Sequence, residues 1–337
     1  MEFFGFTLFG SLMGAPLLII AGIIFIAGLF LTIKGGDWFV DSASWFAEAT
    51  GIPKFVIGAT IVSFATTLPE LLVSVRAAMN GSAQLAIGNA IGSVTANTTL
   101  IMGVSLIAMV GVVSRKEFSL RGGLLMAAII GLTVLSVRSY LPVWSAYILW
   151  AIFIAFMVSN LIIGKKNASD DTIDVHKKQE IPSKIIFFLL GTASIVFGAE
   201  FLVSSAKTIA HGIGISETII GFTVIALGTS LPELVTTLTA IRKKESSLSV
   251  GNVIGANIID TTLILPLCAV INGQALPVDR INIVFDFPVC ICACAFAVIP
   301  TIIQGKFKKW QGYALLTIYA LYMIFLILNE IGIVALG

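Results

Sequence analysis

Two glutamates stand where a carboxylate is expensive. Glu70 in "SFATTLPELLVS" (63–74) and Glu233 in "ALGTSLPELVTT" (226–237) each follow Leu-Pro and two hydroxyl residues, inside stretches that are otherwise uncharged and apolar. A charge at mid-membrane costs roughly 3 kcal/mol on insertion scales, and such residues mark ion or proton paths. Residues four apart share a helix face. That spacing groups Thr66 with Glu70, Ser63 with Thr67, Thr229 with Glu233, Ser93 with Asn97 and Ala256 with Asp260. These positions alternate with Leu, Val and Ile, so the polar face turns away from lipid. Pro69 and Pro232 lack an N–H and clash with the carbonyl one turn back, here those of Ala65 and Gly228. A break there frees the carbonyls around Thr66 and Thr229. Carboxylates and freed carbonyls suit a hard cation. Calcium takes about six to eight oxygens in flexible geometry, and two bidentate glutamates plus two threonine carbonyls reach the lower figure. Hydroxyls and the Asn97 amide are weaker ligands that suit sodium.

The elements that must carry these residues are membrane helices. The chain has 337 residues, 58% apolar and 11% charged, with a mean hydropathy of +1.04, far from a soluble domain. Crossing about 30 Å of hydrocarbon takes roughly 20 apolar residues. Ten such runs fall near 15–36, 55–79, 84–111, 122–138, 142–164, 183–206, 217–240, 248–271, 281–304 and 309–333. The expected fold class is therefore an all-α polytopic membrane protein. Residues 1–14 hold no Lys or Arg and read as an extension into the first helix rather than a cleavable leader. Cys268, Cys290, Cys292 and Cys294 lie in apolar runs with no zinc-like spacing and read as packing residues. The net charge of +2 gives no sign of a nucleic-acid partner.

Cytoplasmic loops collect Lys and Arg. With ten helices, the odd-numbered loops hold 15 of these residues and the even-numbered loops four. The expectation is both termini outside, in a multi-pass protein of the cell (inner) membrane. The segment "GKKNASDDTIDVHKKQEIPSK" halves the chain and reads as a solvated linker, with Asp170, Asp171 and Asp174 as candidates for a regulatory ion site. The organisation follows: an N-terminal extension and first five-helix unit over 1–164, a cytoplasmic linker over 165–183, and a second five-helix unit over 184–337.

The two units are duplicates. A shift of 163 residues aligns 35–100 with 198–263 without a gap, with 24 of 66 positions identical. Glu70 falls on Glu233, Asp37 on Glu200, "GNAIGS" on "GNVIGA", and Asn97 on Asp260. An odd number of helices per unit makes the second copy enter from the opposite side. The neutral "MNGS" of one copy matches the basic "RKKE" of the other, as that inversion requires. Inverted repeats are characteristic of secondary transporters with a site near the midplane.

"GATIVSFATTLPELLVS" with "GNAIGSVTAN", and "GFTVIALGTSLPELVTT" with "GNVIGANIID", resemble the two alpha repeats of the sodium/calcium exchanger family, in the cation/calcium antiporter superfamily, specifically its prokaryotic ten-helix members. The resemblance covers nearly the whole chain, including "GGDWFV" after the first run. It implies eight core helices around four ion positions, with the first and sixth helices long, tilted and able to slide. It implies calcium binding by Glu70 and Glu233 with the carbonyls of Thr66 and Thr229. It implies sodium binding shared among those glutamates, Thr229, Ser63, Thr67, Ser93, Asn97, Ala226, Ser230 and Asp260. Two departures stand out. Ala256 replaces the serine common at that place, and Ala65-Thr66-Thr67 replaces Gly-Thr-Ser. Both bear on sodium more than on calcium.

The reading is a secondary antiporter, not an enzyme, that exports Ca2+ in exchange for Na+ by alternating access. It needs no cofactor, and a monomer is expected. A proton/calcium exchanger on the same scaffold is the alternative, since Asp260, Glu70 and Glu233 could carry protons, and K+ is a further candidate for coupling. From another class, a cation channel fits acidic pore residues. An intramembrane protease would need a Gly-x-Gly-Asp motif that does not accompany these acids. Asp37 and Glu200 are expected at helix ends, Asp286 near the outer interface, His176 and His211 in loops, and Trp144, Trp150 and Trp310 in aromatic belts.

Overall fold

Apolar runs without breakers make long helices, and the longest here pair with each other. α1 spans Ala15–Thr50 (36 residues) and α7 spans Val175–Gly212 (38 residues). At about 1.5 Å per residue each exceeds roughly 50 Å, well over the thickness of the hydrocarbon layer, so each tilts or projects. They cross antiparallel with glycine at the contact. A Cβ on Gly28 would lie 2.9 Å from the Gly198 carbonyl, and one on Gly35 2.9 Å from the Gly191 carbonyl. Small residues let membrane helices approach backbone to backbone. The same shift of 163 converts Gly28 into Gly191 and Gly35 into Gly198, so exchanging the copies maps each contact onto the other.

The computed structural model describes residues 2–3, 6–7, 15–108, 115–167, 175–212, 228–330 and 333. After α1 come α2 (Lys54–Thr66) and α3 (Leu68–Met79), then α4 over 83–108, α5 (Arg115–Ser136) and α6 (Ser145–Asn167). After α7 come α8 (Leu231–Arg242), α9 (Ser246–Asn272), α10 (Asn282–Gln304) and α11 (Lys309–Glu330). Among the described residues eight helices are long and apolar enough to span a membrane, and the bent pair α2–α3 makes a ninth. The expected run 217–240 is described only from Gly228 onward.

α4 and α9 form the centre, each 78% buried over its most apolar window, against 17% for α1 and 22% for α6, α7 and α11. The outer helices present Ile19, Ile26, Phe30, Ile162 and Leu189 outward, as lipid-facing helices do. A short strand pairing and three ion pairs tie neighbouring elements together. β1 (Tyr140–Leu141) pairs antiparallel with β2 (Leu276–Pro277). Lys54 Nζ meets Glu245 Oε1 at 2.7 Å, Lys243 Nζ meets Asp41 Oδ1 at 2.7 Å, and Arg242 pairs with Asp37.

Several expectations change. Asp37 and Glu200 lie inside α1 and α7, because Gly35 faces α7 as a packing residue rather than ending the helix. His211 lies in the last turn of α7 and His176 in its first, and α6 and α7 take up most of the expected linker. Asp170, Asp171 and Asp174 fall outside the described residues. Asp286 is buried in a π-helical turn, accepting from Asn282 Nδ2 at 2.7 Å and from the Tyr322 hydroxyl at 3.0 Å.

Candidate cation site

The Leu-Pro-Glu segments break their helices as the missing N–H dictates. α2 and α3 meet at 47° across Thr67, whose φ and ψ are −83° and 6°. Ser230, the equivalent residue before α8, has −84° and 5°. Each proline then sits in the first turn of the following helix, where its absent donor costs little. Glu70 and Glu233 share those first turns, and a helix N-terminus favours a carboxylate. The chain is rejoined by Thr67 N to the Ser63 carbonyl at 2.9 Å, Leu71 N to the Thr67 carbonyl at 3.0 Å and Leu234 N to the Ser230 carbonyl at 3.0 Å.

Four repeat-equivalent side chains meet the centre without partners. Glu70, Glu233, Asn97 and Asp260 are all fully buried. The carboxylate oxygens of Glu70 and Asp260 and both polar atoms of the Asn97 amide have no hydrogen-bond partner among the described residues, and those of Glu233 have none of normal geometry, with the Thr66 hydroxyl the donor that acts on them. Glu70 feels the charges of Glu233 and Asp260, and Glu233 feels that of Asp260. Buried polar groups are normally satisfied, and each exception calls for an explanation such as an ion. Asn97 and Asp260 each open a π-helical turn, Asn97–Ile101 and Asp260–Ile264. Such turns often accompany functional sites. Among the described residues no three Asp, Glu, His or Cys side chains gather as a metal cluster. A cation here would therefore draw on carbonyl, hydroxyl and amide oxygens as well as carboxylates.

The remaining expected residues surround these four. Ser63, Thr66, Thr67, Ser93 and Ser230 are buried. Thr66 Oγ1 donates to Asn252 Oδ1 at 3.1 Å, and the Ser93 and Thr229 hydroxyls lie 3.4 Å apart, so both contacts join one copy to the other. Thr67 Oγ1 donates to the Ser63 carbonyl at 2.7 Å. Ala226 falls outside the described residues. α2 and α9 touch backbone to backbone: a Cβ on Gly58 would strike the Leu248 carbonyl, and one on Gly251 the Phe55 carbonyl. Arg121 on α5 is buried beside this crossing, its guanidinium 4.4 Å over the Phe55 ring and Nε donating to Asn160 Oδ1 at 3.0 Å.

The sequence singles out Asn97 and Asp260 but not the asparagines of "GNAIGS" and "GNVIGA". Asn89 Nδ2 donates to Ser74 Oγ at 3.0 Å and to the Glu70 carbonyl at 3.4 Å, while Asn252 receives Thr66. Their repetition in both copies was the available signal.

A family profile described as "Sodium/calcium exchanger protein" matches residues 20–162 and 183–328. The chain is 34% identical to the putative antiporter CaxA of Alkalimonas amylolytica, over 75% of this chain and 82% of that one. It is 30% identical to the sodium/calcium exchanger MaX1 of Methanosarcina acetivorans, over 90% and 97%. A solved structure of the sodium-calcium exchanger NCX_Mj, soaked with Na+ and Sr2+, superposes with a TM-score of 0.80 at 29% identity, covering 91% of this chain and 99% of that one. A polytopic helical transporter and not an enzyme, the chain belongs to the sodium/calcium exchanger family of the cation/calcium antiporter superfamily.

Proposed function

We propose that this protein is a secondary antiporter of the cell (inner) membrane that exports Ca2+ in exchange for Na+ by alternating access. The observation that carries the reading is the set of four buried, unpartnered side chains, Glu70, Glu233, Asn97 and Asp260. Calcium is held by both glutamates and by the carbonyls of Thr66 and Thr229, released where Pro69 and Pro232 interrupt their helices. Sodium shares those glutamates with Ser63, Thr67, Ser93, Asn97, Ala226, Thr229, Ser230 and Asp260. One Ca2+ neutralises two carboxylates, as do two Na+. The ion sets overlap at Glu70 and Glu233, so they compete, and this competition couples the fluxes. The names of MaX1 and NCX_Mj support sodium as the counter-ion.

The scaffold for this is ten helices in two inverted five-helix units, 1–164 and 184–337, joined at 165–183, with both termini outside and a monomer as the working unit. The exchange-related contacts Gly28–Gly198 and Gly35–Gly191 support the inversion, since only antiparallel copies meet in that register. In proteoliposomes holding the full chain, an outward Na+ gradient should drive uptake of ⁴⁵Ca2+. Uptake under a pH gradient instead, with none under Na+, would establish the proton/calcium alternative, for which Asp260 supplies a third titratable group.

A further inference from the structure

Asn89 and Asn252 occupy one repeat position, on helices whose bounds, Ala83–Ala96 and Ser246–Ile259, also differ by 163. They make different hydrogen bonds. Asn89 stays in its own copy, donating to Ser74 Oγ at 3.0 Å and the Glu70 carbonyl at 3.4 Å. Asn252 crosses to the other copy, accepting from Thr66 Oγ1 at 3.1 Å. The counterpart of Ser74 is Thr237. Thr237 Oγ1 and Asn252 Nδ2 are both buried and, among the described residues, both without a partner. An unused donor and an unused hydroxyl thus stand where the first copy has a hydrogen bond.

We propose that Asn89 and Asn252 are paired positioning residues that exchange partners when the site changes sides. This rests on reading the copies as inverted halves of an alternating-access site. In the arrangement observed, Asn252 holds the Thr66 turn while Asn89 holds Ser74 and the Glu70 carbonyl. In the opposite arrangement Asn252 takes Thr237 and the Glu233 carbonyl, and Asn89 takes Thr229. The Ser93 to Thr229 contact, long at 3.4 Å, is the one given up. Each amide therefore grips either the threonine before one helix break or the glutamate turn after the other. The asparagine bonds are equivalent in the two arrangements, and only the long Ser93–Thr229 contact has no counterpart, because Ala256 lacks a hydroxyl. Hydrogen-bond number therefore differs by one weak contact, and cations or a gradient can set the populations.

The test uses the full chain in vesicles sorted by orientation, with apparent Ca2+ affinity read from each membrane face. Thr237→Val removes the hydroxyl that only the opposite arrangement uses, and Ser74→Ala removes the one that the observed arrangement uses. The ratio of the two affinities should move about threefold to tenfold in opposite directions in the two variants. Thr237→Ser and Ser74→Thr, which keep the hydroxyl, should restore the wild-type ratio. Ratios that move the same way, or do not move, overturn the exchange, because general loosening acts on both faces alike. Glu70→Gln measured alongside separates the two levels. If it still transports Ca2+, the site reading itself fails; if it is inactive and the ratios are unmoved, only the exchange fails.

Discussion

The segments 68–101 and 231–264 share a backbone and differ in their side chains. Their helices, turns and π-helical bulges begin and end at equivalent residues, and the break residues Thr67 and Ser230 agree to about a degree in both dihedrals. The copies diverge where oxygen meets the centre: Asn97 against Asp260, Ser93 against Ala256, Ser74 against Thr237. The glutamates do not diverge. Duplication has thus kept the scaffold and the two glutamates proposed to hold the cargo, while the differences at Asn97/Asp260 and Ser93/Ala256 fall on positions proposed for, or beside, the coupling ion and that at Ser74/Thr237 on the proposed exchange of partners.

Glu70→Gln and Glu233→Gln probe what the copies share and carry the largest expected effect. Removing one charged ligand from a buried cation site costs about 3 kcal/mol, roughly 100-fold in affinity. Both variants should lose ⁴⁵Ca2+ transport while remaining folded by size-exclusion chromatography. Loss in only one would mean that the copies are not equivalent in calcium binding.

Asp260→Asn makes the copies alike at their main electrostatic difference. It should weaken the Na+ dependence of uptake about tenfold, near 1.4 kcal/mol, with a smaller change in apparent Ca2+ affinity. Asn97→Asp with Asp260→Asn moves the charge to the other copy and keeps the total. Recovery of Na+ dependence in that double variant is expected if charge, not location, decides. Ala256→Ser supplies the hydroxyl that only Ser93 now provides. A gain of one hydrogen-bonding oxygen is worth about 0.5–1 kcal/mol, so apparent Na+ affinity should rise roughly twofold to fivefold. An unchanged Na+ titration would show that another oxygen already fills the place.

The features legible in the sequence were those with a local cause. Pro69 lacks its N–H whatever surrounds it, so the break at Thr67 followed directly. Glu70, Glu233, Asn97 and Asp260 could be grouped because the repeat supplied a second, independent copy of each environment. Features that depend on a neighbour were hidden. The first apolar run stops at residue 36, which puts Asp37 at a helix end, and only the packing of Gly35 against α7 shows why α1 continues past it. Asp286 was expected near the outer interface, but its partners Asn282 and Tyr322 were not visible in the sequence. The different bonds of Asn89 and Asn252 follow from the arrangement the two halves adopt, which identical residues cannot encode.

The smallest expected effect tests whether the shared backbone is imposed or merely inherited. Gly81 and Lys244 are equivalent and both left-handed, with φ of 75° and 61°. The same reverse hydrogen bonds close both turns, Ser82 N to the Ala77 carbonyl at 2.9 Å and Glu245 N to the Ala240 carbonyl at 2.7 Å. Left-handed backbone costs a non-glycine residue about 1–2 kcal/mol, yet lysine occupies it in a loop dense in positive charge. Glycine there would relieve that strain but lose roughly 0.5–1 kcal/mol to the entropy of the unfolded chain. Lys244→Gly should therefore raise the melting temperature by only about 1–2 °C and leave ⁴⁵Ca2+ uptake unchanged. Gly81→Ala introduces the strain and regains the same unfolded-chain entropy, so it should lower the melting temperature by a similar amount, about 1–2 °C. If Lys244→Gly lowers the melting temperature instead, the lysine side chain stabilises the turn through its charge, and the two loops share a shape for different physical reasons.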